Sequence, residues 1–467
     1  MKILLINPKS PARTPLSTEE KLIPIGLAYI GAICEKEESN VKVIDDYLLN
    51  LPYEKLGKKI SEASPDLVGV TMSSLVYSEA VKTMQLCKKI VPDAKIIAGG
   101  PHPTVMPEKT LLGIPELDAV VIGEGEKTVS EIIERFRKNR GFRGVKGTCF
   151  RKGKKIVKNP PRPFIENLDE LPFPAWHLFP IKKYPRKTNF LSVVPVDNIN
   201  SSRGCPFRCA FCSVKSIWGL TYRYFSPERT TEEIKHLVES YGTKGIYFRE
   251  DNFTLNKKRV EKLCKLIIKE NLDVKWVCES RVNLITKDIA KLMKRAGCET
   301  IWFGTESGSQ RVLDKVLCKG ITLEQTKRAF KILDDAGIRR GASFMVGVPG
   351  ETIKDMYKTI KFTKEIDPDY TGFNIFVGIP KSPIHDRIMA NHWYENVDAG
   401  GVATGIKTDE FTPADVLKIQ KIGEREVMFN LKFLKRKLRE CKSLSNLAMT
   451  IKAGLKVIKT QLSSQPT

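Results

Sequence analysis

Ser202-Arg203-Gly204-Cys205-Pro206-Phe207-Arg208-Cys209-Ala210-Phe211-Cys212 sets three cysteines within eight residues, spaced C-x3-C-x2-C, with Gly and Pro flanking the first and an aromatic before the last. Cysteine thiolates hold iron–sulfur clusters, usually four for a 4Fe–4S cube. This run provides three, which leaves one iron with an open position, the arrangement a catalytic metal site keeps for its substrate. The alternatives are a structural zinc site short of a ligand, or thiols that only pack. Zinc motifs normally bring a second C-x2-C-like pair, and none lies within reach.

Downstream of these cysteines, strand-like runs fit 197–201, 245–249, 274–278, 300–304, 342–346 and 371–376, with helical runs near 228–241, 257–270, 286–296, 322–336 and 352–365. Six strand–helix units imply an incomplete barrel of parallel strands, whose chemistry sits at the strands' C-terminal ends. Those ends carry the cysteine loop, then Glu250 and Asp251, then Arg281, then Glu306 and Ser307, then the turn Gly347-Val348-Pro349-Gly350. A barrel-rim ion pair is the plainer alternative for the acids.

Upstream, residues 2–140 alternate strands at 2–7, 41–45, 67–72, 95–98 and 119–122 with helices at 24–37, 53–63, 77–91 and 126–139. This alternation predicts a doubly wound parallel sheet, with any ligand beyond the strands' carboxyl ends. There lie Ser73 and Ser74, Gly99-Gly100-Pro101-His102, and Gly123-Glu124-Gly125-Glu126. Paired glycines let backbone approach a flat, bulky ligand because no Cβ intervenes. As alternatives, Gly99–Gly100 is a strand-to-turn break, and Glu124 and Glu126 are acids favoured at a helix N-terminus.

Formal net charge is +24, from 78 Lys and Arg against 54 Asp and Glu. Such a field attracts polyanions, but it is spread along the chain and thickens only near the C-terminus. Eleven cysteines without regular pairing make no disulfide framework. No stretch approaches the roughly 18–20 apolar residues of a membrane span, and the apolar run in Met1–Pro8 is too short for a signal peptide. A cytoplasmic protein is expected. Beyond 412, Val427, Leu431, Leu434, Leu438 and Cys441 form one apolar seam and Leu447, Ile451, Leu455 and Ile458 a second, both flanked by lysines and arginines. The plain reading is a helix pair packed on the barrel; the sharper one is peripheral contact with an anionic membrane, at the inner membrane surface.

The cysteine spacing resembles that of the radical SAM superfamily. With the two glycine loops ahead of it, and with Gly147–Arg151, Asn159–Pro163 and Leu168–Ala175 between, the chain is similar to the cobalamin-binding radical SAM family, the class B methyltransferase-like enzymes, over roughly residues 1–380. The resemblance implies an α/β protein: a Rossmann-like cobalamin-binding domain (1–142), a linker with a hairpin (143–195), a partial (β/α)6 TIM-type barrel (196–380) and a mostly helical, basic C-terminal region (381–467). It implies a 4Fe–4S cluster on Cys205, Cys209 and Cys212, whose open iron binds S-adenosylmethionine. Glu250 or Asp251 would contact the amino group of that molecule and Arg281 its carboxylate. Glu306, with Ser307 beside it, would hydrogen-bond it, and Gly347 and Gly350 would lie beside adenine and ribose. Ser73, Ser74, Gly99, Gly100, His102 and Gly123 to Glu126 would face cobalamin.

One departure stands out. The D-x-H-x-x-G motif of cobalamin mutases, whose His ligates cobalt, is absent from Asn7–Arg13, and the chain has five His in all. Cobalamin would bind base-off without a His on cobalt. His102 is the one candidate among these loops, and a hydrogen-bonding loop histidine is the plainer reading. The implied activity is methylation of an unactivated carbon, with methylcobalamin as methyl carrier, on a lipid-like or secondary-metabolite substrate, and with an external flavodoxin- or ferredoxin-type electron donor. The alternatives are a cyclase or oxidase without methyl transfer, a tRNA-modifying enzyme, or a cobalamin sensor. The tRNA-modifying methylthiotransferases carry three N-terminal cluster cysteines. Here Cys34 and Cys87 fall in predicted helices and Cys149 in the hairpin, so nucleic acid is not the expected partner.

Overall fold

A computed structural model describes residues 1–10 and 21–428. The second C-terminal seam and all of the first except its start at Val427 lie outside the described residues. In the first sheet β1 (Lys2–Asn7), β2 (Asn40–Asp45), β3 (Leu67–Thr71), β4 (Lys95–Gly99) and β5 (Ala119–Val121) run parallel, and the spatial order is β2-β1-β3-β4-β5. Successive side chains of a strand point to opposite faces, and here both faces are covered. Leu4 and Ile6 enter one core with Val68, Val70 and Ile96, while Ile3 and Leu5 enter another with Leu67, Ile97 and Tyr29. Two buried faces are why these strands read as unbroken apolar runs.

The hairpin expected in the linker, β6 (Thr148–Lys152) and β7 (Lys155–Lys158), continues this sheet. β6 pairs antiparallel with β5, Ala119 opposite Phe150. Two short helices, Pro101–Val105 and Pro107–Gly113, follow the paired glycines.

The second sheet holds β8 (Val196–Ile199), β11 (Gly245–Phe248), β12 (Lys275–Ser280), β13 (Cys298–Glu306), β14 (Arg339–Val346) and β15 (Tyr370–Ile375), all parallel, with β8 and β15 at open edges. Between β8 and β11 a small ribbon, β9 (Ser202–Arg203) with β10 (Arg223–Tyr224), frames the cysteine loop. The base of this partial barrel is plugged by the linker: Phe190, Leu191 and Val193 pack with Tyr247, Val277 and Trp302. At Gly341 a Cβ would lie 2.4 Å from the Trp302 ring, so only glycine lets that indole lie across the strand.

One core joins the two sheets. It runs from Tyr29 and Val129 through Trp176 and Phe179 to Phe225 and Ile234. Ala175 N–H donates to Ala28 O at 3.0 Å, and Asn198 Nδ2 donates to Ile23 O at 3.1 Å. The helix Pro413–Met428 closes the far edge, where Gln420 Nε2 donates to Phe373 O at 2.8 Å. None of the described helices is long and apolar enough to cross a membrane.

Candidate active site

At the carboxyl ends of the first sheet lies a cavity of about 380 Å³. Its floor is apolar, with Leu5, Ile97 and Val121 below and Tyr29 and Ile30 beside. Six glycines line it: Gly26, Gly69, Gly99, Gly100, Gly123 and Gly125. An added Cβ would crowd three of them, against movable side-chain ends at two and against backbone at Gly100. A Cβ on Gly69 would lie 2.9 Å from Leu5 Cδ2, on Gly125 2.9 Å from Ile30 Cδ1, and on Gly100 2.9 Å from Met72 O. Ser73, Ser74 and His102 are not in this wall. His102 Nδ1 shares a 2.9 Å hydrogen bond with Ser74 Oγ, and its ring stands edge-on to Tyr77. Burial pushes the His102 pKa down to about 4, so the ring is neutral.

Glu124 and Glu126 also line the cavity, but their carboxylates are engaged by arginines from the second domain. Arg203 reaches Glu124 Oε1 at 2.7 Å and Glu126 Oε1 at 2.6 Å. Arg223 meets Glu124 at 2.8 Å and also donates to Ile165 O. Glu124 Oε2 accepts from Ile165 N at 2.6 Å. Burial alone would lower the Arg203 pKa; Glu126 and Glu124 more than offset it, so the guanidinium stays charged. Removing one partner from such a buried group costs about 3–5 kcal/mol.

The cysteine loop starts two residues after Arg203. Gly204 has φ +87, and a Cβ there would lie 2.3 Å from Thr221 O, so this turn admits only glycine. Cys209 is buried, and Cys205 and Cys212 are half-buried. The loop is tied down by Ala210 N–H to Leu317 O at 2.8 Å and Ile384 N–H to Ala210 O at 3.1 Å. Val214 N–H donates to Cys212 Sγ and Arg281 Nη1 to Cys209 Sγ, each at 3.5 Å, and the Phe207 N–H is directed at Cys205. Hydrogen bonds to sulfur are among the levers that tune a cluster.

Burial, then the neighbouring Cys209, Asp251 and Cys205 charges, push the Cys212 pKa up to about 11. Burial likewise raises Cys205, with Asp251 and Cys209 adding to it. Such thiols take up metal with loss of protons. Among the described residues, no three His, Cys, Asp or Glu side chains gather as ligands of a single ion. A cube does not ask for that, because each thiolate binds a different iron.

A second cavity of about 200 Å³ opens on the barrel side, lined by Asn200, Ser202, Arg203, Trp218, Arg249, Glu250, Asp251 and Glu279. It separates the two acids left open by the sequence. Glu250 is consumed: it accepts from Ser201 N at 2.9 Å and from the Ser201 and Ser202 hydroxyls, and pairs with buried Arg259 at 3.7 Å. Asp251 reaches solvent at the cavity mouth. Crowding by the surrounding walls, then Glu279 and Glu250, push its pKa up to about 6, while the Gly204 N–H it accepts pulls the other way. Glu279 accepts from Tyr247 Oη at 3.1 Å.

The remaining sequence candidates line neither cavity. Arg281 stacks 3.7 Å over the Phe207 ring and donates to Lys319 O, which directs it to the cysteine loop. Glu306 is paired with Lys319 at 2.8 Å. Ser307 Oγ bonds Thr359 Oγ1 at 3.2 Å. Gly347 N–H donates to Glu351 Oε2 at 3.0 Å, and Gly350 O accepts from Arg311. Sequence reasoning passed over Asn200, Arg203, Trp218 and Glu279. The first three sit in or beside the cysteine motif, which was the available signal.

A glycine-lined cavity on a doubly wound sheet, facing a three-cysteine loop on a partial barrel, defines a two-domain cofactor protein. The radical SAM superfamily profile matches residues 199–363, and the B12 binding domain profile matches residues 16–133. The chain belongs to the B12-binding radical SAM family. It is 38% identical over 392 residues to an uncharacterized methyltransferase of Pyrococcus horikoshii, covering 84% of each. It is 31% identical over 375 residues to the anaerobic magnesium-protoporphyrin IX monomethyl ester cyclase of Rubrivivax gelatinosus, covering 78% of this chain and 66% of that one. In fold it resembles the cobalamin-dependent S-adenosylmethionine radical enzyme OxsB, solved with aqua-cobalamin and S-adenosylmethionine bound. There the TM-score is 0.75 at 16% identity, over 98% of this chain and 70% of that one.

Proposed function

We propose that this protein is a cobalamin-dependent radical S-adenosylmethionine enzyme that methylates an unactivated carbon of a lipid-like or secondary-metabolite small molecule. The observation that carries this reading is the shared wall between a glycine-lined cavity in the first domain and an acid-lined cavity beside the three cysteines in the second.

The residues present suit the groups this requires. Cys205, Cys209 and Cys212 would hold a 4Fe–4S cluster, with Arg281 and Val214 N–H as sulfur donors. Gly99 and Gly123 line the first cavity where an added Cβ would meet no protein atom closer than 3.9 Å, a cradle a side chain would fill, and this suits the close approach of a flat macrocycle to backbone. When bound, the cluster provides the electron that cleaves S-adenosylmethionine and cobalamin the methyl carrier, chemistry no side chain possesses.

The protein's own part is positioning. Above about pH 6 Asp251 is a carboxylate and, with Glu279, suits an ammonium. Glu250 braces Ser201 and Ser202 at the root of the cysteine loop. The apolar floor of the first cavity excludes water. This reading assigns cobalt no His, since His102 is bonded to Ser74 and does not line the first cavity.

An external electron donor of the flavodoxin or ferredoxin type belongs to the proposal. So does cytoplasmic residence with peripheral contact to an anionic membrane through the apolar C-terminal seams and the lysines and arginines that flank them, supported by the sequence alone. Flotation with anionic liposomes would test the latter. Full-length protein should float at low salt and a chain stopped near Thr412 should not; equal flotation, or none by either, retires it.

The relationship to the Rubrivivax cyclase favours a second reading, ring closure or oxidation without methyl transfer. Anaerobically reconstituted, chemically reduced protein given S-adenosylmethionine with an isotope-labelled methyl group separates them. Label passing to the bound cobalamin supports methyl transfer, and cleavage of S-adenosylmethionine without such passage supports the cyclase-type reaction.

A further inference from the structure

Asn200, Arg203 and Trp218 line both cavities and so form the wall between them. Of the three, Arg203 is the charged one, and it is held from both sides. Its guanidinium is gripped by Glu124 and Glu126 of the first domain at 2.7 and 2.6 Å. It faces the Tyr29 ring at 5.4 Å and the Trp218 ring at 5.7 Å, distances at which a cation is attracted to an aromatic face. Its backbone belongs to the second domain, pairing with Arg223 across the ribbon. Gly204 and Cys205 follow directly, and Gly204 N–H donates to Asp251. A fork of fixed, planar geometry ties its partners' positions together in a way that a flexible ammonium does not.

The loop that grips this fork is also a wall of the first cavity, since Gly123 to Glu126 all line it. A ligand that seats against Gly123 to Glu126 therefore fixes Arg203, and with it one wall of the second cavity and the start of the cysteine loop. We propose that Arg203 is a positioning residue that couples the two cavities, so that cobalamin in the first strengthens binding of S-adenosylmethionine in the second. Coupling of this kind is reciprocal by thermodynamic necessity. Its source is the shared wall, since the same Asn200, Arg203 and Trp218 line both cavities. The proposal rests on the cofactor reading above.

Equilibrium dialysis of labelled S-adenosylmethionine against anaerobically reconstituted protein, with and without hydroxocobalamin, tests it. In the unaltered protein, hydroxocobalamin should tighten binding on the order of tenfold, and S-adenosylmethionine should tighten hydroxocobalamin by the same factor. Arg203→Gln should bring that factor close to one. Arg203→Lys, which keeps the charge but not the fork, should fall between, and it keeps the test open if Arg203→Gln does not fold. Arg223→Gln removes another arginine from the same carboxylate cluster, but Arg223 lines neither cavity, so the factor should persist. Undiminished coupling in Arg203→Gln, or equal loss in Arg203→Gln and Arg223→Gln, overturns the proposal. Unaltered protein that binds both ligands without mutual effect overturns it too, while leaving the functional reading in place. Failure to bind either ligand removes that reading and the coupling with it.

Discussion

Replacing Gly100 by alanine is expected to weaken binding of hydroxocobalamin and to leave the iron–sulfur site intact. Gly100 follows β4 with φ +103 and ψ −170, a region populated essentially by glycine alone. An added Cβ would lie 2.9 Å from Met72 O and 3.2 Å from Met72 N. Both are backbone atoms just past β3, and Met72 O already accepts from His102 N at 3.1 Å, so no flexible side chain can yield. Backbone strain of this kind costs about 1–3 kcal/mol. If the loop relieves it by moving, and must move back to seat the ligand, affinity falls roughly 5- to 150-fold at about 1.4 kcal/mol per tenfold. Titration of the protein with hydroxocobalamin, followed by absorbance, reads the loss, and iron per chain measured in parallel reads the control. Gly123→Ala separates the causes: its φ is +75 and a Cβ there meets no protein atom within 4 Å, so a loss of affinity there reports strain of its own φ and contact with the ligand, not a clash with Met72. Unchanged affinity in Gly100→Ala, or a matching loss of iron, would refute the reasoning.

The two acids after β11 should respond differently. Glu250→Ala leaves Arg259 buried without its carboxylate and should destabilise the barrel by about 3–5 kcal/mol. Asp251→Asn should leave the melting curve nearly unchanged and weaken S-adenosylmethionine binding; the converse pattern would exchange the roles assigned here. In the unaltered protein that binding should strengthen as pH rises from 5 to 7, through the Asp251 pKa of about 6, and Asp251→Asn should flatten the profile. Glu351 is buried in the turn after β14, and burial pushes its pKa up to about 8 from an ordinary 4.5. The folded protein then holds a proton that the unfolded chain has released between those values. Stability therefore falls as pH rises across that window, by at most about 1.4 kcal/mol per pH unit. Glu351→Gln should lessen this slope in denaturant titrations, and an unchanged slope would show that Glu351 is ionised in the fold.

Both sheets were legible in the sequence because parallel strands buried on two faces leave unbroken apolar runs, punctuated by amphipathic helices. All six barrel strands and all five expected first-sheet strands fall within a few residues of the expected positions. The cysteine motif was legible because its information is local. Pro101–Val105 and Pro107–Gly113 were not, since helices of five and seven residues are too short to display a period. Side-chain partners distant in sequence were equally hidden. Nothing near Glu124 announces Arg203, 79 residues on, and nothing near Glu250 says that Arg259, rather than a ligand, faces it. Arg281 looked free to take a carboxylate until the fold set it on Phe207 and Cys209. The hairpin Thr148–Lys158 read as linker because its pairing with β5 is a long-range choice that local turn chemistry does not encode.

The most direct test of the account is cleavage of S-adenosylmethionine by the anaerobically reconstituted, chemically reduced protein. It should form 5′-deoxyadenosine and methionine, carry about four irons per chain, and lose both activity and iron when Cys205, Cys209 and Cys212 are all changed to alanine. Cleavage that survives in that triple variant, or its absence from unaltered protein with a full complement of iron, would contradict the account.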